Sequence, residues 1–132
     1  MKDYYLDSSA ILKYIFKEKE SSAIRREIRG YLRTSEIARV EVIRRVLRIE
    51  PALLDGAYQV LDRIQIVPVR SGLLSFAERL PAHINIRGMD AIHLASAAII
   101  DEGQTTLVTY DRTMAKAGEQ LGMSVVSPGA AL

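Results

Sequence analysis

The strongest constraint on the fold is a pattern that occurs twice. The apolar run Tyr4-Tyr5-Leu6 stops at Asp7 and gives way to the helical spacing of Ala10, Ile11, Tyr14 and Ile15. The run TTLVTY at 105–110 stops at Asp111 and gives way to a helix over Arg112–Leu121 that ends at Gly122. Strands that hand over directly to helices build βα units, whose crossover connections make the strands parallel.

The rest of the chain keeps the alternation. Helices are expected over Ser8–Lys17, over Ala23–Arg29 ending at Gly30, from a Ser35 cap to about Ile49, from Pro51 through Leu54, Ala57, Tyr58 and Leu61, and over Ser71–Leu80. Asp90–Glu102 reads as a nearly all-apolar helix closed by Gly103, and its lack of a polar face implies burial. Further strands are expected at Tyr31–Thr34, at IQIVPV (64–69), and in MSVVSP near the end. No repeat, low-complexity stretch or interdomain linker interrupts this order, so residues 1–132 read as one domain, a parallel α/β sandwich. A chain of this length buries a sufficient core without disulfides or a structural metal.

The absence of cysteine excludes disulfide frameworks, thiolate zinc sites and cysteine nucleophiles together. Lys2, Asp3 and Asp7 break up any apolar leader, and no run approaches the ~20 residues of a membrane span, so the expectation is a soluble, cytoplasmic protein. Net charge is +2, but 13 of the 18 basic residues are arginine and many fall between Arg25 and Arg48. Such a bias suits phosphates or an acidic protein partner, and equally a solvated helix face.

Asp7 and Asp111 both stand at the carboxyl edge of the expected sheet, where open α/β sheets build their ligand sites. Capping explains either one alone, because aspartate is a favoured helix N-cap. Asp90, at the start of the apolar helix DAIHLASAAII, makes a third acid at a helix start. Glu41 lies on the border of the apolar face of the helix after Ser35; an ion pair with Arg45, four residues on, is its alternative use. Carboxylates that converge repel one another unless a cation compensates, and an all-oxygen donor set suits Mg²⁺ or Mn²⁺. A non-catalytic RNA- or protein-binding module, whose acids only cap helices, is the alternative reading. A haloacid-dehalogenase-type phosphatase would carry a second acid two residues after the first, where this chain has Ser9.

Asp7 in YYLDSSAIL, Glu41 in TSEIARVEVIRR, Asp90 in GMDAIHLASA and Asp111 in TLVTYDRTMAKAGEQLGMSVVSPG occur in that order over nearly the whole chain. Together they resemble the PIN-domain ribonucleases, and more closely the VapC toxins of bacterial and archaeal toxin–antitoxin modules. The resemblance implies a three-layer α/β/α sandwich with a central parallel sheet and an acidic quartet of Asp7, Glu41, Asp90 and Asp111 holding Mg²⁺ or Mn²⁺. It also implies hydrolysis of RNA phosphodiester bonds by metal-activated water, an antitoxin partner and a homodimer. Ser8, Ser35 and Thr109 sit beside these motifs as candidate second-layer partners, or as caps and turn residues.

Residues 50–87 carry no motif of this kind, and Gly118 stands where the family more often has alanine. His93 follows Asp90 by three residues on the same helix face; it reads as a packed, hydrogen-bonded histidine, with a place in the site as the alternative. His83 reads as a loop residue. Arg39, Arg44, Arg45 and Arg48 are candidates for contacts to RNA phosphates or to acidic groups of an antitoxin. Six tyrosines and two phenylalanines form no evident base-stacking platform, so no sequence-specific RNA reading is inferred.

Overall fold

The computed structural model describes residues 1–100 and 104–132. Its strands are β1 (Lys2–Leu6), β2 (Gly30–Ser35), β3 (Gln65–Val67), β4 (Thr106–Val108) and β5 (Ser124–Val126). All pair in parallel, in the order β3-β2-β1-β4-β5, which places β1 at the centre. The helices are α1 (Ser8–Leu12), α2 (Ser21–Glu27), α3 (Glu36–Ile49), α4 (Leu54–Leu61), α5 (Ser71–Glu78), α6 (Gly88–Ile99) and α7 (Arg112–Gln120), with a 3-10 turn at Pro51–Leu53 before α4.

The alternation of side chains along β1 divides the core into layers. Tyr4 and Leu6 point to one face, where they pack with Ile11 of α1, Ile24 of α2, Val42 and Val46 of α3 and Leu61 of α4. Tyr5 points to the other, against Leu94 of α6, Leu107 of β4 and Met114 of α7. α5 closes over α6 through Leu73, Ala77 and Ala95. Leu6, Ile11, Leu94 and Leu107 are each fully buried, and each contributes about 1.5–3 kcal/mol relative to an exposed side chain. This is the expected three-layer α/β/α sandwich.

Local chemistry sets the element ends. α7 stops in a Schellman motif: Met123 N–H donates to Gly118 O at 2.9 Å and Gly122 N–H to Glu119 O at 3.0 Å, with Gly122 at φ 86°. At the start of β2 a side chain would force the backbone to shift, because a Cβ on Gly30 would lie 2.2 Å from the backbone oxygen of Lys2, its register partner on β1.

Several boundaries differ from those expected. The helix after Asp7 ends at Leu12 rather than Lys17, because Tyr14 N–H and Ile15 N–H turn to the carbonyls three residues back, at 3.0 and 3.1 Å. α2 begins at Ser21, whose hydroxyl accepts from Glu18 N–H and donates to Phe16 O and so fixes the preceding turn. β3 stops before Pro68, which has no N–H to give the ladder. α6 starts at Gly88, two residues before Asp90; its expected end at Glu102 and Gly103 lies outside the described residues.

Candidate active site at the sheet's switch point

The chain winds outward from β1 through β2 to β3, then returns to the other side of β1 for β4 and β5. The reversal falls between β1 and β4, and in open α/β sheets the crevice beyond the carboxyl ends of such a pair is the ligand site. Asp7 and Asp111 follow these two strands.

Asp7 is 4% exposed, and its carboxylate accepts three hydrogen bonds from within the protein. Ser9 Oγ donates to Oδ1 at 2.6 Å, Ala10 N–H donates to the same oxygen at 3.0 Å, and the Thr109 hydroxyl donates to Oδ2. Asp7 is therefore the N-cap of α1 and also the junction of β1 and β4. Burial pushes its carboxyl above the usual carboxylate range, and the Ser9 and Thr109 hydroxyls, the Ala10 N–H and His93 offset part of that rise. Ser9 Oγ also accepts from Tyr110 N–H at 2.9 Å, and Thr109 Oγ1 accepts from Asp111 N–H at 3.1 Å. Two hydroxyls thus knit the strand ends together.

Glu41 comes from the second turn of α3, whose start is capped by Ser35 Oγ accepting from Ala38 N–H at 3.3 Å. Its Oε1 lies 2.6 Å from His93 Nε2 on α6, and the other ring nitrogen, Nδ1, lies 2.9 Å from the hydroxyl of Tyr5 on β1. Among the described residues Glu41 makes no ion pair with Arg45, its alternative partner on the same helix.

Asp90 lies in the first turn of α6 and is not its cap; Arg87 holds that position and makes no side-chain capping bond. Burial, then the like charges of Asp111 and Glu41, raise its carboxyl above the usual range, with His93 and Arg87 acting the other way. Asp111 is exposed and caps α7, accepting from Met114 N–H at 3.0 Å.

Of the three hydroxyl residues singled out beside the acids, Thr109 bonds Asp7, Ser35 caps α3, and Ser8 lines the groove beside Glu41. Ser9, unmarked in the sequence reading except as a missing acid, makes the bond to Asp7. The two serines are adjacent, and only the local turn decides which hydroxyl reaches back. His93 is the packed, hydrogen-bonded histidine expected, and its partner Glu41 is 52 residues away in sequence.

An open groove of about 640 Å³ runs from Glu41 and Ser8 along Arg44, Arg45 and Arg48. Arg39 is elsewhere, over the ring of Tyr58 at 5.4 Å. His83 lies in a turn beside a separate small cleft.

The acids share one edge of the sheet, but among the described residues no three of Asp, Glu and His are gathered closely enough to hold an ion as they stand. Asp7 and Glu41 are turned to partners within the protein. The donor chemistry nevertheless fits a hard divalent cation, because the set is carboxylate and Asp90 carries like-charge repulsion from two other members that a cation would relieve.

A family model described as PIN domain matches residues 4–120. The chain is 34% identical over 134 residues to Ribonuclease VapC47 of Mycobacterium tuberculosis, covering 96% of this chain and 97% of that protein. It is 38% identical over 130 residues to Ribonuclease VapC46 of the same organism, covering 94% and 96%. Among solved structures, a toxin–antitoxin complex from Klebsiella pneumoniae contains a chain that superposes with a TM-score of 0.76 at 18% identity, covering 98% of this chain and all of that one.

Proposed function

The chain belongs to the PIN-domain family, and we propose that it is a metal-dependent endoribonuclease, the toxin of a type II toxin–antitoxin system. Residues 1–132 form a single nuclease domain in this reading. The observation that supports it is Asp90, which caps no helix and carries like-charge repulsion from Asp111 and Glu41.

Asp7, Glu41, Asp90 and Asp111 are the residues that would hold Mg²⁺ or Mn²⁺. When bound, the ion supplies Lewis-acid polarisation of a phosphoryl oxygen and of the attacking water. Asp7 is kept in one orientation by Ser9, Thr109 and Ala10, which would act as the outer partners of a metal ligand. Asp90 is partly exposed, so it would remain open to a cation and to solvent. Arg44, Arg45 and Arg48 bind phosphates flanking the scissile one, as positive charge along a groove does for a single strand. The partners are RNA, a second copy of the chain and an acidic or arginine-bearing antitoxin segment that covers the site, all in the cytoplasm.

Support comes from the curated relatives, named as ribonucleases over nearly the full length of this chain. The test is incubation of purified, partner-free protein with total cellular RNA, with and without Mn²⁺, followed by mapping of new 5′ ends. Discrete Mn²⁺-dependent ends are expected. RNA retained on the protein without any cleavage would favour the non-catalytic binding module, in which the caps at Asp7 and Asp111 are the whole use of those acids.

A further inference from the structure

α6 is apolar along most of its length, yet its most deeply placed turn carries a histidine. His93 is 2% exposed, and Tyr5, its partner on the central strand, is fully buried. A buried imidazole costs on the order of 1–3 kcal/mol for each polar atom left unpaired, so a position that served packing alone would be better filled by leucine. Here both nitrogens are engaged, one by the core and one by a carboxylate at the crevice.

We propose that His93 is a positioning residue for the reaction, anchored by Tyr5 and holding the Glu41 carboxylate through Nε2, so that Oε1 is committed within the protein and Oε2 would be the oxygen left for a bound cation. This rests on the metal-dependent nuclease reading above. An ionised carboxylate only accepts, so the proton in the 2.6 Å contact belongs to His93 Nε2. The Tyr5 hydroxyl donates or accepts, and so satisfies Nδ1 in either protonation state of the ring. The two rings meet edge to face, 6.1 Å apart at 71°, which fixes the imidazole plane as well as its position.

The consequence is geometric. Glu41 is a flexible side chain at the edge of α3, one third exposed, and without an anchor it would sample several rotamers. A bond from the far side of the core selects one of them. The anchor starts on β1, the same strand that ends in Asp7, so one rigid element sets the positions of two acids contributed by different parts of the chain.

The test compares His93→Gln, His93→Asn and His93→Leu, with Mn²⁺ affinity by calorimetry, RNA cleavage and thermal melting read on each. Glutamine places an amide nitrogen near the position of Nε2 and keeps a donor for Glu41; asparagine places its amide near Nδ1 and reaches Tyr5 alone. His93→Gln should hold Mn²⁺ within about threefold of wild type, while His93→Asn and His93→Leu should weaken it by about 10- to 100-fold, the range for lost outer partners of metal ligands. Their loss should appear in kcat, with KM for RNA nearly unchanged. Wild-type Mn²⁺ affinity in folded His93→Asn or His93→Leu overturns the inference and leaves the nuclease reading standing. If neither variant folds, Tyr5→Phe carries the test, with several-fold weaker Mn²⁺ binding expected and an unchanged affinity overturning it. Wild-type protein that neither binds Mn²⁺ nor cleaves RNA overturns the nuclease reading and this inference together.

Discussion

Thr109, just past the end of β4, donates its hydroxyl to Oδ2 of Asp7, just past the end of β1. One bond therefore spans the two strands between which the sheet reverses, and it holds the most buried acid of the site.

Thr109→Val keeps the shape of the side chain and removes the donor. The Asp7 carboxylate then loses one of its three donors in a buried setting, and Asp111 N–H loses its acceptor. A hydrogen bond to a charged group contributes about 1.5–3 kcal/mol, so urea unfolding at neutral pH should show a loss of that order. A variant as stable as wild type would mean that the strand ends are held by other contacts.

The raised carboxyls of Asp7 and Asp90 give the metal-free protein a defined pH dependence. An unfolded aspartate titrates near ~3.9, and in the fold both groups keep their protons to higher pH. Above that value the folded state binds more protons than the unfolded one, so the stability these groups contribute is complete at low pH and is lost as pH rises through their folded range. Asp7→Asn removes one of them and keeps a residue that caps helices well. Urea melts in chelator should therefore show stability falling less steeply with pH in Asp7→Asn than in wild type. A steeper fall in the variant would reverse the sign of the argument.

The fold was legible in the sequence wherever a residue type acts over a few neighbours. Asp7, Ser35 and Asp111 mark helix starts because their side chains reach the N–H three residues on, and Gly122 marks a stop because it takes a left-handed turn. The same locality hid the rest. Capping accounts for only one oxygen of Asp7, since the other accepts from Thr109, about a hundred residues away. His93 and Glu41 meet only because α3 and α6 pack together, and no periodicity within either helix encodes that. The expected extension of the first helix to Lys17 failed because Tyr14 and Ile15 keep helical spacing through 3-10 turns, which spacing alone does not separate from an α-helix.

Gly30 offers a test of the register between β1 and β2. A methyl group there would meet the Lys2 carbonyl at 2.2 Å, a contact that only backbone movement relieves. Gly30→Ala should cost about 1–3 kcal/mol in chemical unfolding, the usual penalty of overpacking. An alanine variant at least as stable as wild type would show that the two strands pair differently.

The arginine-lined groove makes a prediction about salt. If Arg44 and Arg48 contact RNA phosphates, Arg44→Ala and Arg48→Ala should raise KM more than they lower kcat. Each lost contact should also reduce the slope of log affinity against log salt by about 0.7, the value for a single strand. Binding measured by fluorescence anisotropy at several salt concentrations reads this directly, and slopes equal to wild type would remove these residues from the RNA path.

The central claim is that the acids at the switch point perform metal-dependent cleavage, and Asp90 tests it most directly because no capping bond explains its presence. Cleavage of an RNA substrate in Mn²⁺ should be compared for wild type and Asp90→Asn, with melting temperatures taken on the same samples. A loss of cleavage by orders of magnitude in a folded variant is the result the account predicts; near-wild-type cleavage by folded Asp90→Asn would contradict it.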